Sequence, residues 1–308
     1  MYDIIGDIHG HANALKKLLE KLGYQKSRGA YRHPDRKALF VGDYIDRGPE
    51  VWETLELVRH MSDAGQAIAL MGNHELNAIL FNEPDGEGGY LRPHSEKNRK
   101  QHSATLRDFK GKKEEYLSYI SWFKSLPIFY ETDSFRAIHA CWDDTMIDEL
   151  RDYAAGNSLQ PESFSDAGDS NTRLYELLET LLKGREVALP KGLSFRDKDG
   201  HRRKEVRIKW WMNPKEVRLE EWSFAEDIEG RAKEQFEPSR NLENYYTKDE
   251  KPVFFGHYWL TGEPELERGN VCCLDYSIGN EEKLVAYRHE GEATLREDKF
   301  KWVAHKDS

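Results

Sequence analysis

Along the first eighty positions, short continuous apolar runs alternate with apolar stripes at helical spacing. Tyr2-Asp3-Ile4-Ile5, Ala38-Leu39-Phe40-Val41 and Ala67-Ile68-Ala69-Leu70-Met71 are the runs, each the length of a buried strand. Between them Ala12, Leu15, Leu18, Leu19 and Leu22 mark one helix face that stops at Gly23. Val51, Leu55, Val58 and Met61 mark a second face that stops at Gly65, and Pro49 is read as its opening residue. Residues 24–37 carry turn formers and charges and read as a connection or a small hairpin, and a third helix is expected over Glu75–Phe81. This β-α-β-α-β series predicts a parallel sheet in an α/β fold.

Later runs are shorter and farther apart. Phe135–Ala140 reads as a strand ending at His139, Val253–Phe255 as one running into Gly256-His257, and Val271–Asp275 and Leu284–Arg288 as closing strands. Two stretches interrupt the series. Residues 82–113, rich in Gly, Pro and charge, read as a solvated loop. Its functional reading is a lid whose cations, Arg92, His94, Lys97, Arg99, Lys100 and His102, meet extra phosphates or an acidic substrate. Residues 150–250 hold a leucine-faced helix (Leu174, Leu177, Leu178, Leu181, Leu182) ending at Gly184, then a hairpin with Asp199-Gly200 at its tip. The hairpin's second arm alternates Val206, Ile208 and Trp210 with Arg207 and Lys209, so one face is buried and the other basic.

Composition narrows the class without choosing a function. With 38% hydrophobic and 33% charged residues the chain is ordinary for a globular protein, and 308 residues suffice for one large domain with insertions. A net charge of -10 argues against a protein that grips long nucleic acid, but not against nucleotides, since metal ions can supply positive charge locally. The three cysteines, Cys141, Cys272 and Cys273, form no disulfide framework and point to a reducing compartment. No apolar stretch approaches the roughly 18–20 residues of a membrane helix, and Met1 leads directly into a strand. The expectation is a cytoplasmic protein with no membrane partner.

Candidate chemistry sits where the predicted strands end, which is where open α/β sheets bind ligands. Gly6-Asp7-Ile8-His9-Gly10 follows the first strand, and extended backbone would point Asp7 and His9 the same way, enough to hold a divalent metal. Gly42-Asp43-Tyr44-Ile45-Asp46-Arg47-Gly48 follows the second. Asp43 can bridge two cations there, and Arg47 can grip phosphoryl oxygens with a bidentate fork. Gly72-Asn73-His74-Glu75 follows the third and can divide labour, an amide oxygen on a metal and an imidazole moving protons.

These three motifs, in this order over residues 6–75, resemble the signature of calcineurin-like metallophosphoesterases. The GDYIDRG and GNHE forms are similar to the phosphoprotein-phosphatase branch, which includes serine/threonine phosphatases and bacterial diadenosine-tetraphosphatase-like enzymes. The resemblance implies an α/β sandwich of two central mixed sheets flanked by helices, as one domain over 1–308 with a cap at 150–250 and a lid at 82–113. Trp211-Met212-Asn213-Pro214 resembles the Trp-x-x-Pro stretch of that branch. His139 and His257 fill the places of two later histidines. Trp259 stands where many relatives carry another histidine, so Gly256-His257-Tyr258-Trp259 resembles the tetraphosphatase-like form, and Ala140 stands where a glycine is common.

By the same resemblance Asp7, His9 and Asp43 hold one metal, and Asp43, Asn73, His139 and His257 hold the other. Two divalent ions are implied, Mn²⁺ first and Fe or Zn²⁺ as alternatives. Hydroxide between them attacks phosphorus in line, His74 protonates the leaving oxygen, Asp46 orients His74, and Arg47 stabilises the phosphoryl oxygens. Asp275 and Arg92 are further candidates for substrate contact. A second phosphate-binding arginine is implied in the cap, with Arg203, Arg207, Arg231 and Arg240 available. The implied substrate is a phosphorylated small molecule, nucleotide or phosphoprotein. Phosphomonoester hydrolysis is the first reading, hydrolysis of a dinucleoside polyphosphate the alternative, and a silent metal-binding scaffold a third.

Overall fold

A computed structural model describes residues 1–196, 201–225, 228–229 and 244–308. Two sheets organise them. In the larger, the order is Asp275–Tyr276, Lys283–His289, Tyr2–Ile5, Lys37–Phe40 and Ala67–Ala69, with Phe300–Ala304 also pairing with Lys283–His289. Tyr2–Ile5, Lys37–Phe40 and Ala67–Ala69 run parallel, with Ile4 opposite Leu39 and Leu39 opposite Ile68. The smaller sheet is Val271–Cys273, Val253–Phe255, Arg136–Ile138 and Phe129–Glu131, its first three strands parallel.

Side-chain alternation explains why two sheets form one sandwich. Ile4, Leu39, Ala137, Phe254 and Cys272 point into a single buried cluster shared by both sheets. Their neighbours Ile5, Ala38, Phe40, Ile138, Val253, Phe255 and Cys273 point outward into a second cluster, with Leu15, Leu18, Leu19, Val58 and Met61 of the helices. Strands covered on both faces read as continuous apolar runs, which is what these sequences show. The helices Ala12–Lys21, Val51–Asp63 and Asn73–Asn82 follow the three parallel strands as expected. Pro49 lies in the loop ahead of Val51 rather than opening the helix, and residues 25–32 form the small hairpin Gln25–Ser27 with Ala30–Arg32.

The insertions are more structured than their composition suggests. Residues 82–113 contain the helices Glu96–Gln101 and Ser103–Asp108, not a solvated loop, and they bury His102 and Thr105. Helix Arg173–Lys183 buries all five predicted leucines. Beyond it Val187, Leu189, Val206, Ile208, Leu219 and Trp222 form a small core of their own. Phe195 pairs with Arg203 and Arg196 with Arg202, as flanks of a hairpin require; its Asp199-Gly200 tip lies outside the described residues, as do Arg231 and Arg240. Among the described residues no helix is long and apolar enough to cross a membrane.

The first strand also carries one buried charge pair. Asp3, fully buried, accepts from Arg36 Nε at 2.9 and 3.0 Å and from Arg288 Nε at 3.1 Å, joining the first strand to its antiparallel neighbour Lys283–His289 and to the residue ahead of Lys37–Phe40. Removing one partner of such a pair strands the other's charge. Arg36→Met is therefore expected to lower the unfolding free energy by about 3–5 kcal/mol in urea titrations. A loss under about 1 kcal/mol would show that the pair does not brace the sheet.

Candidate metal centre

The loops carrying Asp7, Asp43, Asn73, His139 and His257 each lie at the carboxyl end of a strand in one of the two sheets. The backbone there is tightly packed and locally strained. His9, Asp43, Asp46, Arg47, His257 and Trp259 all have positive φ, between 45° and 73°, a region that residues other than glycine rarely enter. Such outliers persist only where surrounding structure enforces them, and they gather at functional sites. The enforcement is visible: Ile8 and His9 donate backbone N–H bonds to Asp43 O, at 3.1 and 2.9 Å, locking the first loop onto the second. With φ of 45°, His9 leaves extended backbone, so its approach to the site comes from a turn and not from the strand alternation expected. A Cβ on Gly256 would sit 1.8 Å from Asp7 Oδ1, so this glycine makes room for that carboxylate.

Asp43 is the centre of the cluster. One of its neighbouring donor sets is His9 and His74; another is His139 and His257, with the ligand atoms of each set within 4.8 Å of one another. Asn73 Oδ1 lies 3.0 Å from His139 Nε2 and 2.8 Å from His257 Nδ1. Backbone carbonyls orient two of the rings: His9 Nδ1 donates to Ile45 O and His139 Nδ1 to Val41 O, both at 2.9 Å, which leaves Nε2 of each ring facing Asp43. Metal-binding histidines are oriented in this way by a bond from the other nitrogen. Asp7 Oδ2 accepts the His257 backbone N–H at 3.0 Å. Its Oδ1, like His257 Nε2, is buried without a hydrogen-bond partner.

The electrostatics suit a cation. Burial, with Asp275 and Asp43 close by, pushes the Asp7 carboxyl well above its ordinary range. Burial opposes ionisation of Asp43 too, but His139 and His74 outweigh it and hold that carboxylate well below the usual value. The His139 imidazole is disfavoured as a cation by burial, yet Asp43 and Asp7 push its pKa up to about 10. His9 is taken down to about 3 by burial, and burial also lowers His257 well below the ordinary value. Imidazoles, carboxylates and an amide oxygen, two of them with orphaned atoms, form a mixed oxygen and nitrogen donor set that fits divalent transition metals.

Beside this cluster stands His74, partly buried, whose Nδ1 is 2.6 Å from Asp46 Oδ2. Burial opposes its protonation, but Asp43 and Asp46 outweigh it and raise its pKa. Arg47 lies 3.5 Å above the Trp259 ring, so stacking holds the guanidinium face while the N–H edge remains to meet an anion. Asp275 is buried, and its two oxygens accept the backbone N–H groups of Trp259 and Ser277 at 2.8 and 2.9 Å. Arg92 hydrogen-bonds Gln101 at 2.8 Å and feels Glu179 and Asp46 electrostatically. Arg203 and Arg207 line a cavity of about 920 Å³ that also reaches His257, Tyr258 and Trp259.

Two parts of the arrangement escape sequence reasoning. Glu75, fully buried, accepts from the backbone N–H groups of Asp43, Tyr44 and Gly72 at 2.9, 2.9 and 3.0 Å, tying the second loop to the third. Burial, with Asp43 adding to it, pushes Glu75 up to about 7. A glutamate closing a motif of otherwise small or ligating residues was the available signal. His102 and Thr105 both reach Asp46 from within 82–113, at 2.8 and 2.6 Å; composition there indicated solvent.

Comparison with known proteins gives this geometry a family. The calcineurin-like phosphoesterase model matches residues 2–221, and the chain belongs to that family, whose members carry divalent metal ions. Over 74 residues the chain is 50% identical to Bis(5'-nucleosyl)-tetraphosphatase PrpE (asymmetrical) of Halalkalibacterium halodurans, a match covering 24% of this chain and 30% of that protein. The corresponding protein of Bacillus thuringiensis (strain Al Hakam) is 51% identical over 81 residues, again 24% of this chain and 30% of the relative. The chain thus spans under a third of the length of these curated relatives. A protein serine/threonine phosphatase from Saccharomyces cerevisiae, with similarity to human phosphatase PP5, matches 98% of this chain and 78% of its own with a TM-score of 0.51. At 15% identity this last likeness shows the fold, the two-sheet sandwich expected from the motifs.

Gly256→Ala tests the packing argument directly. The added methyl must displace Asp7 Oδ1, and Mn²⁺ affinity by titration calorimetry is expected to fall about 10–100-fold. Unchanged affinity would mean that Asp7 takes no part in holding the ion.

Proposed function

We propose that the protein is a metal-dependent phosphoester hydrolase acting on phosphomonoesters, phosphorylated protein side chains among them. The observation that carries this reading is the position of Asp43 between two sets of imidazoles, beside an Asp46–His74 pair and a stacked arginine. Asp7, His9 and Asp43 would hold one divalent ion, and Asp43, Asn73, His139 and His257 a second. Mn²⁺ is our first choice, and Fe or Zn²⁺ suits the same donors. When bound, the ions supply Lewis-acid charge and lower the pKa of water.

The chain's own residues do the rest. Arg47 offers two parallel N–H bonds to phosphoryl oxygens, and Trp259 keeps its plane fixed, so little freedom is lost on binding. His74 donates from Nδ1 to Asp46 Oδ2, which leaves its Nε2 proton for the leaving oxygen. His74 Nε2 also stands 3.9 Å from Asp43 Oδ2. The bond from its Nδ1 to Asp46 at 2.6 Å, which neither His9 nor His139 makes, favours the acid role. A silent scaffold would need neither this acid nor the arginine.

Substrate breadth follows from the cavity. Its lining by Arg202, Arg203, Lys204 and Arg207 beside Phe195 and Phe224 favours a second reading, a dinucleoside polyphosphate whose remaining phosphates and base lie there. The tetraphosphatase relatives support that alternative, over 74 residues of this chain. Residues 150–250, with their own small core, are read as a cap inserted in a single domain over 1–308, and 82–113 as a second insertion against the site. Three buried cysteines, all unpaired, favour the cytoplasm.

With Mn²⁺ added, His74→Asn is expected to slow alkyl phosphate hydrolysis about 10²–10⁴-fold and p-nitrophenyl phosphate far less, because nitrophenolate leaves without a proton. Equal losses on both would remove His74 from the acid role. In the same assay, faster turnover of diadenosine tetraphosphate than of a phosphoserine peptide would select the second reading.

A further inference from the structure

The acid reading uses one oxygen of Asp46. Its other oxygen is engaged just as fully, by groups from a segment to which no role in the chemistry has been given. Asp46 Oδ1 accepts from His102 Nδ1 at 2.8 Å and from Thr105 Oγ1 at 2.6 Å, and Thr105 Oγ1 in turn accepts the Asp46 backbone N–H at 3.1 Å. Behind His102, Nε2 lies 2.8 Å from the Tyr116 hydroxyl, and that hydroxyl accepts from Asn82 Nδ2 at 2.7 Å. His102, Thr105 and Tyr116 are buried, so water does not substitute for these bonds.

Donor and acceptor counting gives the chain a direction. Asn82 Nδ2 has two hydrogens, one on Ala78 O at 2.8 Å and one on the Tyr116 oxygen. Burial raises the Tyr116 pKa, so the phenol keeps its proton and needs an acceptor. Among the described contacts that acceptor is His102 Nε2. An imidazole accepting at Nε2 carries its proton on Nδ1 and is neutral, so Nδ1 donates to Asp46. Asn82, Tyr116, His102 and Asp46 therefore form a relay of bonds all pointing at one carboxylate. It ends on His74.

We propose that His102 is a positioning residue for proton donation: by donating to Asp46 Oδ1 it fixes the carboxylate plane whose Oδ2 aims the His74 ring at the leaving oxygen. The inference rests on the acid reading of His74 and extends it to residues 82–113. Asp46 has a backbone φ of 67°, in the left-handed region, so its local conformation needs such outside support. The segment read from composition as a basic lid over substrate thus works from behind, as the brace of the acid.

A purely structural role and a positioning role differ in one measurable ratio. Parent, His102→Phe, His102→Asn and His74→Asn proteins, each loaded with Mn²⁺, are assayed on phenyl phosphate and p-nitrophenyl phosphate. Both rates come from one sample, so their ratio is independent of how much protein has folded. His102→Phe is expected to lower the phenyl phosphate rate about 10–100-fold, and the p-nitrophenyl phosphate rate less than about threefold. His102→Asn, whose amide nitrogen occupies the place of Nδ1 and donates, is expected to return the ratio to within about threefold of the parent. A parental ratio in His102→Phe, with the ratio shifted in His74→Asn, overturns the role of His102 alone. A parental ratio in His74→Asn overturns the acid reading beneath it.

Discussion

Burying three carboxylates against one another is the constraint on which this structure depends. Asp7, Asp43 and Asp275 are each no more than 2% exposed, and each raises the cost of ionising another. Like charges in a low-dielectric pocket cannot all persist without compensation. Backbone N–H groups compensate Asp275; His139 and His74 compensate Asp43; Asp7 retains an oxygen with no hydrogen-bond partner among the described residues. Divalent cations are the compensation that family membership implies, and the protein's two sheets are arranged so that their strand ends bring the candidate ligands to one place.

That delivery requires close backbone approach, and the cost is distributed. Gly42, Gly72 and Gly256 leave out side chains where a Cβ would meet backbone or a carboxylate at 2.6 Å or less. Glu75 then gathers three backbone donors into one buried carboxylate, replacing direct contact between the second and third loops. Of the site residues with positive φ, Asp43 is held by Glu75, His9 by Asp43 O, Asp46 by Thr105, His257 by Asp7 and Trp259 by Asp275, each through its backbone N–H. The rigidity has a use: groups placed before substrate arrives need no rearrangement during reaction.

Much of the fold was legible because buried strands announce themselves. The runs at 38–41, 67–71 and 253–255 are apolar on both faces, and the leucines of Arg173–Lys183 recur at helical spacing. Motif order did the same for the candidate site, since each motif closes a strand. Illegible features were those whose cause is distant in sequence. His9 turns by positive φ because Asp43 O, thirty-four residues on, captures its N–H. His102 is charged-looking and flanked by Arg99, Lys100 and Arg107, so composition assigned it to solvent; its burial is caused by Asp46 and Tyr116. Pro49 suited a first helical position, but Glu50 N is captured by Gly10 O and the helix begins after it.

The central claim is that Asp43 is shared by two ions. Anomalous diffraction from crystals soaked in Mn²⁺ measures this most directly. The account predicts two manganese peaks about 3.5–4 Å apart with an Asp43 oxygen between them, and His9 and His139 on opposite sides. One peak, or two that do not meet at Asp43, would contradict it.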